Sequence, residues 1–152
     1  MMFAPRGNSF MDAAFAEAEA AAARDEVPVG AVIVRDGAII ARAGNRVEEL
    51  CDPTAHAEVL AIRQAGAALG QPRLEGCDLY VTLEPCPLCA TAISFARIRR
   101  VYFGAYDPKG GGVEHGPRIY SHATCHHSPE VVGGLDERRA AAMLREFFQN
   151  RR

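Results

Sequence analysis

The sequence predicts an α/β domain whose sheet is mixed and flanked by helices. Two stretches carry that prediction. "DLYVTLEPC" and "RVYFGAY" are β-rich runs separated by a helix-length segment. That is the spacing of a βαβ unit, so part of the sheet is parallel. "VGAVIVRDGAIIARAGN" is two strands around Asp36-Gly37, a strong hairpin signal, so another part is antiparallel.

In chain order, Ser9-Phe10-Met11-Asp12 has the form of a capping box. An alanine-rich helix should follow to about Arg24, with Phe10, Met11, Ala14, Phe15, Ala18, Ala21 and Ala22 on its packed side. After the hairpin comes "DPTAHAEVLAIRQAG", residues 52–66, a helix with Asp52-Pro53-Thr54 as entry and cap. Val59, Leu60 and Ile62 give it a buried side, and it should close near Gly70. The β run ending in Pro85 leads into a helix from Cys86 to about Ala96, since proline suits a first helical position. Residues 107–130 are long, rich in Gly, Pro and His and hardly periodic, with at most a short strand or helical turn near Arg118–Tyr120. The last helix should start near Leu135, with Met143/Phe147 and Leu144/Phe148 as apolar i,i+4 pairs.

The chain has 152 residues, one domain's length and enough to bury a core. Its 49% apolar and 24% charged residues are the ordinary balance of a soluble globular protein, and no apolar run is long enough for a membrane span. "MMFAPRGNSF" lacks the pattern of a secretory signal, so a flexible leader over residues 1–8 and a cytoplasmic location are expected, with residues 9–152 as the single domain. Five cysteines (51, 77, 86, 89 and 125) fit thiols plus a metal site better than a disulfide framework. Net charge is −2, against a bulk nucleic-acid coat, but it is uneven: residues 1–90 carry 7 Lys/Arg against 13 Asp/Glu, residues 91–152 carry 10 against 6. A basic second half can meet phosphates locally, although a solvated surface gives the same count.

The chemistry lies in two short motifs. Cys86 and Cys89 are i,i+3 at a helix start, where the dipole favours thiolate, the form that binds metal. With His56 they make three ligands for a tetrahedral zinc and leave one position for water, the count of a catalytic rather than a structural site. Glu58, two residues from His56 on a helix, points elsewhere and is placed to carry protons for that water, whose pKa zinc lowers from 15.7 towards about 7. Alone, His-Ala-Glu is most often a structural pair, and Cys-x-x-Cys can be a redox dithiol or half of a structural zinc site. In this order they match the H-x-E then P-C-x-x-C signature of zinc deaminases.

At these residues the chain resembles the cytidine-deaminase-like superfamily, and within it the bacterial tRNA-specific adenosine deaminases. "DEVPVGAV", "GNR", "DPTAHAE", "LYVTLEPC", "RIRRVYFGA" and the terminal "FFQNRR" carry the likeness over nearly the whole chain. The resemblance implies a three-layer α/β/α fold with a central mixed sheet of about five strands. It implies one Zn2+ per subunit on His56, Cys86 and Cys89, and Glu58 as proton shuttle. The activity implied is hydrolysis of the wobble adenosine of a tRNA anticodon to inosine and ammonia, by a homodimer without membrane attachment. Asn45 would then hydrogen-bond the flipped base, with Val29 and the backbone at Ala57 lining its pocket. Asp107, Phe147, Phe148, Arg151 and Arg152 would touch flanking nucleotides. Asn45 also reads as a turn residue after Gly44, and Phe147 or Phe148 as core.

The stretch "VEHGPRIYSHATCHHSPE" departs from that family's pattern, and His122, Cys125, His126 and His127 within it have no diagnostic ligand spacing for a second metal. Two other functions fit parts of the sequence. One is a small-molecule deaminase acting on guanine, cytosine or a nucleotide, for which "EFFQNRR" has no evident use. The other is a zinc-stabilised binding module, for which Glu58 has none.

Overall fold

The computed structural model describes residues 6–151, with side chains from Phe10 onward. The elements are α1 (Arg6–Ala23), β1 (Gly30–Arg35), β2 (Ala38–Gly44), α2 (Val47–Leu50), α3 (Ala57–Leu69), β3 (Cys77–Leu83), α4 (Pro87–Ala96), β4 (Arg100–Ala105), a 3-10 turn (Ile119–Ser121), β5 (Glu130–Val132) and α5 (Glu137–Gln149). The strands form one five-stranded sheet in the order β2-β1-β3-β4-β5. β1 runs antiparallel to β2 and β3, whereas β3, β4 and β5 are parallel, so the sheet is mixed as predicted.

Alternation along β1 explains the three layers. Ala31 and Ile33 belong to a core with Ala57, Ala61 and Ala65 of α3 and Ala90, Ile93 and Ala96 of α4. Val32 and Val34 face the other way, into a core with Met11 and Phe15 of α1 and Ala140 of α5. The helices thus cover both faces, α3 and α4 on one and α1 and α5 on the other. α1 crosses the sheet so closely that a Cβ at Gly30 would sit 2.0 Å from the Ala14 carbonyl oxygen. The hairpin turn is built as the sequence asks: Asp36 and Gly37 take φ of 51° and 79°, both left-handed.

Three local expectations are corrected. α1 is already helical at Arg6, so Ser9 stands inside the helix and the Ser9–Asp12 capping box does not start it. The first five residues of the expected leader lie outside the described residues. Asp52 does not cap α3; its carboxylate accepts from the Thr54 amide at 2.9 Å and hydroxyl at 2.7 Å, making a turn, and the N-cap is His56. Likewise Cys86 is the N-cap of α4, with Pro87 at the first helical position. Two elements have no sequence signature: α2 is four residues long, and β5 has three, exposed except Val131 in the middle.

Candidate active site

Helices α3 and α4 aim their N-termini at one point off the carboxyl end of β3, a usual place for a site in an α/β sheet. His56 caps α3, Cys86 caps α4, and Cys89 sits in the first turn of α4. Their donor atoms all lie within 4.8 Å of one another. The His56 Nδ1 is 3.5 Å from Cys86 Sγ and 3.4 Å from Cys89 Sγ. A tetrahedral zinc with ordinary Zn–N and Zn–S bonds separates such atoms by about 3.5 Å, so these residues fit the ion. Among the described residues they are also the only such cluster of three or more His, Cys, Asp or Glu donors, so the His and Cys of residues 122–127 form no second one.

The electrostatics suit a cation. A hydrogen bond from the Cys89 thiol, against burial and with help from His56, brings Cys86 down to about 4. The same bond and burial hold the Cys89 proton far more tightly than usual, and the bond to Cys86 raises His56. One thiolate is thus ready, and two helix dipoles support negative charge there.

Glu58 is buried, and burial pushes its carboxyl up to about 7. It lines, with His56 and Cys86, a cavity of about 470 Å³. Cys89 is fully buried behind them, so the cluster meets the cavity on its His56–Cys86 side. A carboxyl poised near neutrality beside an open side of a metal cluster is equipped to move protons.

The remaining predicted residues divide. Val29, Asn45, Asp107, Phe147 and Arg151 line the same cavity. Asn45 follows β2 and forms part of the wall: its Oδ1 accepts from the Ala57 amide at 2.8 Å, and its NH2 takes no part in that bond. Ala57 therefore stands behind the wall, with its side chain fully buried and its amide held by Asn45. The Asp107 carboxylate faces its own loop, accepting from the amides of Lys109 and Gly110 at 3.2 and 2.9 Å. Phe147 is 8% exposed and carries the Arg151 guanidinium 3.8 Å above its ring, while Phe148 is 52% exposed. Arg151 also pairs with Asp25. Arg152 lies outside the described residues.

Two buried acids of this cavity were missed. Glu26 holds the amides of Glu48 and Glu49, at 3.1 and 2.8 Å, and so fixes the start of α2. Glu84 accepts from loop 107–115. An acidic residue closing an apolar strand just before Pro85 is the signal that marks it.

The zinc-binding region of cytidine and deoxycytidylate deaminases matches residues 6–105. Over 143 residues the chain is 62% identical to the tRNA-specific adenosine deaminase of Agrobacterium fabrum, with 94% of each chain covered. The chain belongs to the tRNA-specific adenosine deaminases of the cytidine-deaminase-like superfamily. Among solved structures, one from a study of A-to-I editing by tRNA:A34 deaminases at the wobble position superimposes with a TM-score of 0.89 at 62% identity, covering 90% of this chain and 99% of the other. A guanine deaminase from Nitrosomonas europaea is also similar, at 26% identity and a TM-score of 0.79, with 97% and 86% covered. As a member of the tRNA-specific adenosine deaminases, the chain is a hydrolytic deaminase whose His56, Cys86 and Cys89 suit one zinc ion.

Proposed function

We propose that this protein converts the wobble adenosine of a tRNA anticodon to inosine with release of ammonia, through the site just described. The observation that supports it most is the placement of Glu58, a carboxyl poised near pH 7, beside a metal-ligand cluster that opens into a base-sized cavity. The net reaction is addition of water at C6 of adenine and departure of the amino group as ammonia.

Zinc, when bound, supplies Lewis acidity that lets water ionise near neutral pH. Glu58 takes the proton released from water, delivers it to the purine ring, and then serves the leaving amino group. The Asn45 NH2 orients the flipped base, and Val29 and Leu83 give it apolar walls. Arg151, lying over the Phe147 ring, forms the rim, where an unstacked anticodon base meets the guanidinium plane.

We further read the enzyme as a cytoplasmic homodimer, with residues 9–152 as one catalytic domain. Leu88 and Phe95, i,i+7 on α4, are 41% and 60% exposed, an apolar stripe suited to a second copy. No described helix is long and apolar enough to cross a membrane.

The test is incubation of the zinc-loaded protein with a tRNA-Arg anticodon stem–loop carrying the wobble adenosine, read as inosine. Free guanine, cytosine, nucleosides and nucleotides are assayed beside it for ammonia. Likeness to a guanine deaminase supports the free-base alternative, and ammonia from guanine with no inosine in the stem–loop would establish it.

A further inference from the structure

Glu84 follows the last residue of β3, two residues before the ligand Cys86, and it is 1% exposed. Its Oε1 accepts from the Asp107 amide at 3.0 Å and from His115 Nδ1 at 2.8 Å. Its Oε2 accepts from the amides of Val113, Glu114 and His115 at 3.2, 2.8 and 3.0 Å. Five donors on one buried carboxylate all come from a single segment, residues 107–115. A carboxylate so filled has no capacity left to act on substrate.

That segment also presses on the turn bearing the metal ligand. The Gly112 amide donates to the Pro85 carbonyl at 2.8 Å, and a Cβ at Gly112 would fall 2.6 Å from the Pro87 nitrogen. At Gly111 a Cβ would lie 2.4 Å from Glu84 Oε2. The glycine run of "DPKGGG" thus lets the backbone wrap the carboxylate and the ligand turn together.

We infer that Glu84 is a positioning residue: it fixes loop 107–115 against the Cys86 turn and thereby sets the cavity wall that carries Asp107. This rests on the reading of the cavity as the base site. The carboxylate acts as an internal anchor for irregular backbone, and the anchored wall is what a flipped base and its neighbour press against.

Glu84→Gln tests it with little change of shape. Its Oε1 still accepts from residues 113–115, while its NH2 faces the Asp107 amide, two donors opposed. In the zinc-loaded enzyme we expect KM for the stem–loop to rise about tenfold, kcat to stay within about threefold, and zinc content to stay at one per chain. Amide exchange at Asp107 should quicken at least about tenfold. His115→Ala, which removes one donor from a partly exposed side chain, should shift KM the same way by about threefold. A lower Tm with unchanged KM and unchanged exchange at Asp107 would reduce Glu84 to a stability role and overturn the inference. A fall in kcat at unchanged KM would overturn it too. Should wild type convert no stem–loop, the function reading fails, and exchange at Asp107 alone decides whether Glu84 holds the wall.

Discussion

Two glutamates line one cavity and both are buried: Glu58 is 4% exposed and Glu84 is 1%. Burial pushes Glu58 up to about 7. Glu84 is buried as well, yet the amides of Asp107, Glu114 and His115 and the His115 ring outweigh that and hold it below its ordinary range. For Glu58 burial dominates and the neighbouring Cys86 sulfur adds to it, whereas the N–H donors around Glu84 outweigh its burial. Glu84 is filled by backbone it holds in place, and Glu26 likewise holds two α2 amides.

The largest effect removes what both carboxylates flank. Cys86→Ala deletes a ligand, and zinc content measured by atomic absorption should fall from one per chain to near zero, with all deamination lost. A variant that kept stoichiometric zinc and turnover would show that the cluster is not the metal site.

Next comes Glu58, the proposed proton carrier. Glu58→Gln should keep zinc and fold and lower turnover by about 10²- to 10⁴-fold, the usual range for a lost general acid–base. Glu84→Gln, measured beside it, should leave kcat nearly intact; an equal loss of kcat in both variants would mean that the two carboxylates do not differ in role.

The same contrast explains what the sequence disclosed. His56 and Glu58, like Cys86 and Cys89, lie within one helical turn of each other, so local spacing was enough to single them out, even though each helix starts one residue after His56 or Cys86. Hairpin and βαβ unit were legible for the same reason: period and turn chemistry are local. Glu84 joins backbone 23 to 31 residues downstream, in a loop without periodicity, and no pattern shows such a pairing. Glu26 is alike, with partners 22 and 23 residues away. Asp52 misled because a short acid before a helix serves a turn or a cap equally well, and here Thr54 claims it.

Asn45 stands between the two glutamates in kind, half of its amide anchoring α3 and half facing the cavity. Asn45→Ala should cost about 1 kcal/mol of stability through the lost cap, and also raise KM. Asn45→Asp keeps the Oδ1 acceptor and removes the NH2 donor. Its melting temperature should therefore stay near wild type while kcat/KM drops about tenfold, near 1.4 kcal/mol. If Asp restored both, the NH2 would have no part in holding the base.

The smallest effect on function concerns the adjacent aromatics of α5. Phe147 is buried beneath Arg151, so Phe147→Ala should destabilise the fold by about 3 kcal/mol, seen in urea unfolding. Phe148 is 52% exposed and touches Phe147 edge-on at 5.3 Å, so its loss should change stability by no more than about 0.5 kcal/mol. Its open face suits stacking on an unpaired base. Phe148→Ala should then weaken stem–loop binding about fivefold, the low end of what one stacked base contributes, with any free-nucleoside turnover unchanged. Equal binding by variant and wild type would leave this ring outside the RNA path and confine recognition to Phe147, Arg151 and the cavity itself.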